Sequence, residues 1–210
     1  MQTSFGRFHA QEECEDLCAD VLRVFQPHRG NARVIPTGTS GRHWRDFSTN
    51  ETRDLMLGGA MGQTTAAVLG VALGLPHEQV VLFDAEGALL MNLGILATIA
   101  GKQPPHFYDF LLDNECYATT GGQPVPNAKN INYAGMAKEA GYTAAYRFDD
   151  LETFETQVGH ILSEPGPVFI AIKVIPEVEN EPIGRRQRRP ARSRAETIRA
   201  LREDLGLTGG

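Results

Sequence analysis

The hydrophobic residues of this chain form two alternating patterns, short apolar runs and helically spaced stretches. The nearly continuous runs at 33–36, 80–83, 107–112 and 167–175 are typical of strands covered on both faces. Stretch 12–25 carries apolar residues at Leu17, Val21, Leu22 and Phe25, a spacing that predicts a helix with one buried face. Further helices are predicted at 66–75, 132–141, 151–162 and 195–205, a strand at 143–148, and an apolar helical segment between the runs at 80–83 and 107–112.

This order of elements predicts the fold class. Strands that alternate with helices favour an α/β fold, here a single three-layer domain with a mostly parallel sheet. We expect the domain to occupy residues 1–176, and an Arg-rich C-terminal extension that ends in a helix to occupy 177–210. In the helix at 132–141, the residues expected to point inward are Met136 and Ala140.

Composition and charge narrow the class of protein. The 210 residues are 41% hydrophobic and 22% charged, with a net charge of −6, which disfavours nucleic acid as the main partner. The Arg-rich run at 185–194 is open to two interpretations, a local segment that binds the phosphates of a nucleic acid, or a solvated linker that packs on a partner subunit or pairs with its acids. Three cysteines, Cys14, Cys18 and Cys116, have no zinc-site spacing, and with no apolar signal region they suggest a reduced cytoplasmic protein.

The candidate chemistry lies in the stretch from Val80 to Gln123. The first strand of this stretch ends in Asp84-Ala85-Glu86-Gly87, and the second ends in Asp113-Asn114. Because the carboxyl ends of parallel strands meet at one edge of a sheet, these polar groups should lie together where α/β sheets bind ligands. The alternative is a helix N-terminus capped by acids, followed by an ordinary turn.

Ala85-Glu86-Gly87 and Asp113-Asn114 together resemble the diphosphate-binding motif of thiamine diphosphate (ThDP) enzymes, Gly-Asp-Gly followed by Asn-Asn. The resemblance implies a Mg²⁺ ion held by Glu86, Asn114 and the Cys116 carbonyl, oxygen ligands that suit this hard cation. It also implies cofactor contacts for Gly87, Ala88 and Tyr117. Glu86 departs from the usual Asp, so Asp84 is a second candidate ligand.

A glycine turn at 58–62 runs straight into the helix predicted at 66–75. It resembles the segment that ThDP decarboxylases place at the cofactor's aminopyrimidine ring. The resemblance implies that the Gly59 carbonyl accepts a hydrogen bond from the 4′-amino group, that Ala60 contacts the cofactor, and that Met61 wedges between its two rings. The alternative is a helix N-terminus whose methionine is part of the core.

A second small-residue segment, Thr37 to Gly41, leaves the first strand. We interpret it as a loop whose backbone N–H groups could hold phosphate oxygens, with Gly38, Thr39 and Ser40 as candidate contacts. A plain turn would have the same sequence. Arg42, His43 and Arg45 follow it, and could face an anionic substrate or water.

Thr120-Gly121-Gly122-Gln123 follows the candidate metal residues. The span from Gly59 to Gln123 resembles the diphosphate-binding subunit of sulfopyruvate and phosphonopyruvate decarboxylases. We expect this loop to line the substrate side, with Thr120 and Gln123 as its contacts.

The resemblance implies one subunit of a ThDP- and Mg²⁺-dependent 2-oxo acid decarboxylase. The catalytic Glu would lie on a pyrimidine-domain partner, in an α2β2 or larger heteromer, because 210 residues leave no room for a second α/β domain. The alternatives are a ThDP-dependent oxidoreductase or carboligase subunit, and a scaffold subunit without chemistry, suggested by Glu86. A nucleotide-binding module is disfavoured, since no Gly-x-Gly-x-x-Gly follows the first strand.

Overall fold

The computed structural model describes residues 17–57, 61–181, 185 and 192–207. Its strands are β1 (Arg33–Pro36), β2 (Val80–Ala85), β3 (Phe107–Asp113), β4 (Cys116–Tyr117), β5 (Gln123–Pro124), β6 (Ala144–Phe148) and β7 (Val168–Lys173). Five of them form one sheet in the order β1-β2-β3-β7-β6, in which every neighbouring pair is parallel. The remaining two, β4 and β5, form a small antiparallel ribbon. The predicted α/β fold with a mostly parallel sheet is confirmed.

Helices cover both faces of the sheet. They are α1 (Cys18–Phe25), α2 (Gly38–Phe47), α3 (Thr64–Gly74), α4 (Glu86–Met91), α5 (Ile95–Lys102), α6 (Tyr133–Ala140), α7 (Leu151–Ile161) and α8 (Arg194–Asp204). One layer contains α1, α2 and α7, and the other contains α3, α4, α5 and α6. No helix within the described ranges is both long and apolar enough to cross a membrane.

The two faces of the sheet bury different side chains. The face under α1, α2 and α7 holds an aromatic cluster, in which the ring centroid of Phe83 lies 5.0 Å from that of Phe25 and 5.1 Å from that of Phe110. Trp44 of α2 completes this cluster and is fully buried. The opposite face is mainly aliphatic. Because the middle strands β2, β3 and β7 are covered on both sides, their sequences are apolar almost throughout.

Helix α8 is tied to the amino end of β1 by an ionic cluster of Arg33, Arg53, Glu78 and Asp204. The Arg33 side chain is fully buried and contacts Glu78 at 2.5 Å and Asp204 at 2.6 Å. Arg53 also pairs with Glu78, and its guanidinium lies 3.3 Å from Asp204. The cluster therefore fixes the end of the C-terminal helix at the edge opposite to the carboxyl ends of the strands.

Several predicted details were wrong. The segment 37–41 is not a loop, because α2 begins at Gly38. The helical segment between β2 and β3 is two helices, which are separated at Asn92–Gly94. In α6 the buried residues are Tyr133, Ala134 and Ala137, whereas Met136 is 37% exposed. Cys14 and the predicted helix before Leu17 lie outside the described residues.

Candidate active site

A cavity of about 610 Å³ opens at the carboxyl edge of the sheet. It lies where β1, β2 and β3 end, and its volume is in the range of small-molecule sites in proteins. Of the predicted cofactor and substrate-loop contacts, nine line it: Gly38, Thr39, Met61, Gly87, Ala88, Asn114, Cys116, Tyr117 and Thr120. Gly59 and Ala60 lie outside the described part of the chain. Ser40, Glu86 and Gln123 are not part of the lining.

The first turn of α2 forms one wall. Gly38 has a φ of +50° and Thr39 follows it at the cavity surface. Ser40 is buried behind them, where its hydroxyl accepts a hydrogen bond from the Thr37 N–H at 3.0 Å and donates one to the Thr37 carbonyl at 2.7 Å. Ser40 thus stabilises the turn and does not contact the cavity, which corrects its predicted place among the ligand contacts.

A close contact between Gly87 and Tyr117 forms the opposite wall. A Cβ atom on Gly87 would lie 2.6 Å from Cε1 of the Tyr117 ring and 3.3 Å from Cε of Met61. No side chain larger than hydrogen fits there, so glycine lets the N-terminus of α4 approach Tyr117. Met61 is 41% exposed at the cavity mouth, which rules out the alternative of a core methionine.

Glu86 lies directly beneath the cavity and is fully buried. Neither of its carboxylate oxygens has a hydrogen-bond partner in the described part of the chain. Burial raises the pKa of its carboxyl to about 8, and the nearby Asp113 adds to the rise. The backbone N–H groups of Glu86 and Asn114 point towards the carboxylate without forming hydrogen bonds of normal geometry, and together with Lys173 they oppose the rise in pKa only partly. A buried carboxyl in this state requires a proton or a cation.

Asn114 and Cys116 lie next to Glu86 and supply neutral oxygens. The Asn114 side-chain oxygen accepts a hydrogen bond from the Cys116 N–H at 3.1 Å, and both residues line the cavity. Within the described ranges no three His, Cys, Asp or Glu side chains cluster as a metal site. The donor set here is one carboxylate with amide and carbonyl oxygens, a combination that suits Mg²⁺ and not zinc.

Asp84 is already engaged in hydrogen bonds. Its carboxylate accepts hydrogen bonds from the Thr65 hydroxyl at 2.6 Å, the Ala85 N–H at 2.9 Å and the Thr37 hydroxyl at 3.3 Å. Burial raises its pKa, and these hydrogen bonds counteract the rise. Asp84 therefore connects the ends of β1, β2 and α3, and the unpartnered Glu86 is the better candidate ligand.

The β4–β5 ribbon carries the predicted substrate loop. Thr120 lines the cavity, whereas Gln123 lies behind it and donates a hydrogen bond from its side-chain amide to the Thr120 carbonyl at 3.0 Å. Gln123 therefore does not contact the cavity as predicted, and its hydrogen bond holds the backbone of Thr120 instead.

Neither Arg42 nor His43 lines the cavity, and Arg42 is exposed to water, as one of the two interpretations expected. Arg42 pairs with Glu179, and Nε2 of His43 lies 2.6 Å from the Glu177 carboxylate, so both contact the segment after β7. Arg45 does line the cavity.

The sequence reasoning missed several residues of this region. Lys173 ends β7 and contacts Asp113 at 3.2 Å and Glu115 at 2.6 Å. A charged residue that ends an apolar strand was an available signal for it. Arg192 and Arg194 also line the cavity, although the sequence gave no signal that they would lie near the strand ends.

Comparisons with known proteins are in line with this geometry. Residues 37–172 match the family model of the thiamine pyrophosphate enzymes, C-terminal TPP-binding domain. The chain is 34% identical to a phosphonopyruvate decarboxylase of Streptomyces hygroscopicus, over 66% of this chain and 34% of that protein. It is 38% identical to the sulfopyruvate decarboxylase subunit beta of Methanothermobacter thermautotrophicus, over 60% of this chain and 64% of that subunit. The corresponding subunit of Methanocaldococcus jannaschii is 34% identical over 75% of this chain and 83% of that subunit.

The chain thus spans about a third of the first of these relatives and just under two thirds of the second. An X-ray structure described as a thiamin diphosphate-dependent enzyme of Mycobacterium smegmatis superposes with a TM-score of 0.64. The alignment covers 77% of this chain and 32% of that one at 18% identity, which shows a shared fold.

Proposed function

The chain belongs to the thiamine pyrophosphate enzyme family through its C-terminal TPP-binding domain, and from this premise we propose that it is the diphosphate-binding subunit of a 2-oxo acid decarboxylase. The observation that carries the proposal is the convergence of three separate segments on one cavity beside an unpartnered buried carboxyl group. The names of its relatives suggest substrates that resemble sulfopyruvate or phosphonopyruvate.

Mg²⁺ would be held by the Glu86 carboxylate, the Asn114 side-chain oxygen and the Cys116 carbonyl. The unpartnered oxygens of Glu86 support this assignment, because a cation would offset the cost of burying their charge. Lys173 and Asp113 lie behind this group and set its electrostatic environment.

The diphosphate of ThDP would lie between the first turns of α2 and α4. Gly38 and Thr39 present the N-terminus of α2, and Gly87 and Ala88 lie in the first turn of α4. The N–H groups of a helix N-terminus favour phosphate oxygens. Ser40 would preserve this geometry from behind, since it holds the Thr37 backbone.

The rest of the cofactor would extend towards the cavity mouth. Met61 would keep its two rings bent, Gly59 and Ala60 would contact the aminopyrimidine, and Tyr117 would pack beside Gly87. When bound, ThDP supplies the electron sink for loss of carbon dioxide. Thr120, supported by Gln123, would line the substrate side.

The proton chemistry would require a partner. Asp84 is the acid that lines the cavity within the described ranges, and its carboxylate is already hydrogen-bonded inside the protein. We therefore expect the activating Glu on a pyrimidine-domain subunit, in an α2β2 or larger heteromer.

An exposed apolar surface supports this partner. The outward side of α3 is composed of small and apolar residues, and exposed residues at the end of α4 and just after it are also apolar. These residues are Ala66, Ala67, Gly70, Leu73, Met91 and Leu93. We call these six residues the α3 face. Adjacent exposed apolar residues of this kind are typical of interfaces between proteins.

Native mass spectrometry of the chain purified from its own host tests the proposal. We expect a complex with a second polypeptide that contains ThDP and Mg²⁺ and releases carbon dioxide from sulfopyruvate or phosphonopyruvate. A homo-oligomer that binds no ThDP after the cofactor and Mg²⁺ are added would contradict it, and would favour the scaffold alternative. If an Asp variant at position 86 then bound ThDP, the loss of chemistry would be assigned to Glu86.

A further inference from the structure

Three arginines line the cavity of this acidic protein. Arg45 comes from α2, whereas Arg192 and Arg194 come from the start of α8. Asp84 is the other charged residue of the lining among the residues with described positions. The cavity is therefore cationic although the chain has a net charge of −6. A local positive field at a cleft raises the concentration of anions there.

The position of the two C-terminal arginines is fixed at both ends of α8. At its start, the Ser193 hydroxyl accepts a hydrogen bond from the Glu196 N–H at 3.2 Å, and the Ser193 N–H donates to the Glu196 carboxylate at 2.6 Å. At its end, Asp204 is held by buried Arg33. Arg192 also donates a hydrogen bond to the Glu51 carbonyl. This contact uses one of the five N–H donors of its guanidinium group.

We propose that Arg192 and Arg194, together with Arg45, bind the second anionic group of the substrate, a sulfonate or phosphonate on the carbon next to the oxo group. The inference rests on the proposed function, and it identifies residues that determine specificity. A guanidinium matches the oxygens of such groups with two parallel hydrogen bonds. Arg192 and Arg194 lie outside the stretch that matches the family model, residues 37–172.

Two competing assignments are less consistent with the contacts. Arg42 and His43 are paired with Glu179 and Glu177, so both side chains already have an acidic partner. The cofactor's diphosphate would be largely neutralised by Mg²⁺ and would lie at the N-terminus of α2, so the guanidinium groups of Arg192 and Arg194 would serve a different anion.

Steady-state kinetics of the complex purified from its host test the inference. The double variant R192A/R194A is expected to lower kcat/KM for the sulfonate or phosphonate substrate by about 10- to 100-fold, since two charged hydrogen-bonding groups are lost. We expect this loss to come from a higher KM for that substrate. For pyruvate, which has no second anionic group, kcat/KM should change little. The matched control is R199A on the exposed side of α8, and the R192K/R194K pair should recover part of the loss.

Calorimetric binding of 3-phosphonopropionate to the ThDP- and Mg²⁺-loaded complex provides a readout without turnover. This probe has the phosphonate but no oxo group, and its affinity should fall in R192A/R194A and remain unchanged in R199A. If no 2-oxo acid is decarboxylated but this difference is observed, the proposed function fails and the anion site stands. Unchanged affinity for the probe, or a loss of ThDP affinity in R192A/R194A, would overturn the inference.

Discussion

Glu86 is the residue whose state depends most on what the cavity contains. Its side chain is fully buried, and its pKa is raised to about 8 by burial and by Asp113. In the metal-free protein the carboxyl is therefore largely protonated near neutral pH. A bound cation would favour the ionised form, so metal binding should release a proton.

The substitution Glu86→Gln should remove a pH dependence of stability. Because the folded pKa of about 8 exceeds the reference value of 4.5, the folded protein binds the extra proton between these values. Its stabilising effect is complete below about pH 4.5 and is lost as the pH rises to about 8, by at most a few kcal/mol. The measurement is the free energy of unfolding of the metal-free protein against pH.

The glutamine variant should show a shallower decline over this range, and ThDP with Mg²⁺ should stabilise the wild type at about pH 8 much more than the variant. Equal pH profiles for the two proteins would mean that Glu86 has an ordinary pKa in the folded state.

At the residue scale the sequence predicted which motifs lie at the cavity better than it predicted the direction of the side chains around them. Asn114 and Thr120 line the cavity, because their positions follow from the strand end and the loop after it. The side chains of Ser40, which is buried, and Gln123, which is exposed, bind nearby backbone groups instead of the cavity, a choice that local sequence does not specify. Arg192 reaches the cavity through a tertiary contact that no local pattern encodes.

Helix α8 is the element that depends most on a few polar contacts. Its buried residue is Thr197, and its end is held by Arg33. Burial opposes the charge on Arg33, but hydrogen bonds to Glu78 and Asp204 outweigh it and raise the guanidinium pKa.

Asp204→Asn should therefore loosen the C-terminal helix. Removal of this carboxylate leaves Arg33 with Glu78 alone inside the protein, and the loss should be about 1–3 kcal/mol. Urea unfolding gives the free energy, and limited proteolysis reports on the helix. Glu203→Gln is the matched control, since Glu203 is exposed next to Asp204. Equal unfolding midpoints for the two variants would contradict this role of the cluster.

Elements with strong apolar patterns were predicted well, and those without them were not. Strands β2, β3 and β7 follow from their apolar runs. The start of α2 was missed because Thr-Gly-Thr-Ser-Gly has low helix propensity, and the helix is stabilised there by Ser40 and by the packing of Trp44. The separation of α4 from α5 was also missed, because Asn92 and Gly94 are only weak signals for the end of a helix.

At the scale of the whole molecule the two helical layers differ. The layer of α1, α2 and α7 covers an aromatic core, whereas the layer of α3 to α6 exposes the α3 face. This face lies beside the cavity, since Met61 lines the cavity mouth just before α3 begins. A subunit docked on the α3 face could therefore complete the site.

Leu73→Glu should prevent this docking without unfolding the chain. Leu73 is 45% exposed on α3, so a charge there would be buried only in the complex. Native mass spectrometry should show loss of the second polypeptide, while the free energy of unfolding of the isolated chain changes by less than about 0.5 kcal/mol. Thr156→Glu, exposed on α7 in the other layer, is the control. Retention of the partner by the Leu73 variant would locate the interface elsewhere.

The position of Trp44 has a practical consequence for solution work. It is the single tryptophan of the chain, it is fully buried, and the Arg29 guanidinium lies 5.3 Å from its ring centroid. The same helix begins at the cavity wall with Gly38. The isolated chain thus has one tryptophan fluorophore, connected by a single helix to the ligand site, and we expect its emission to change when the cavity is occupied, without any added label.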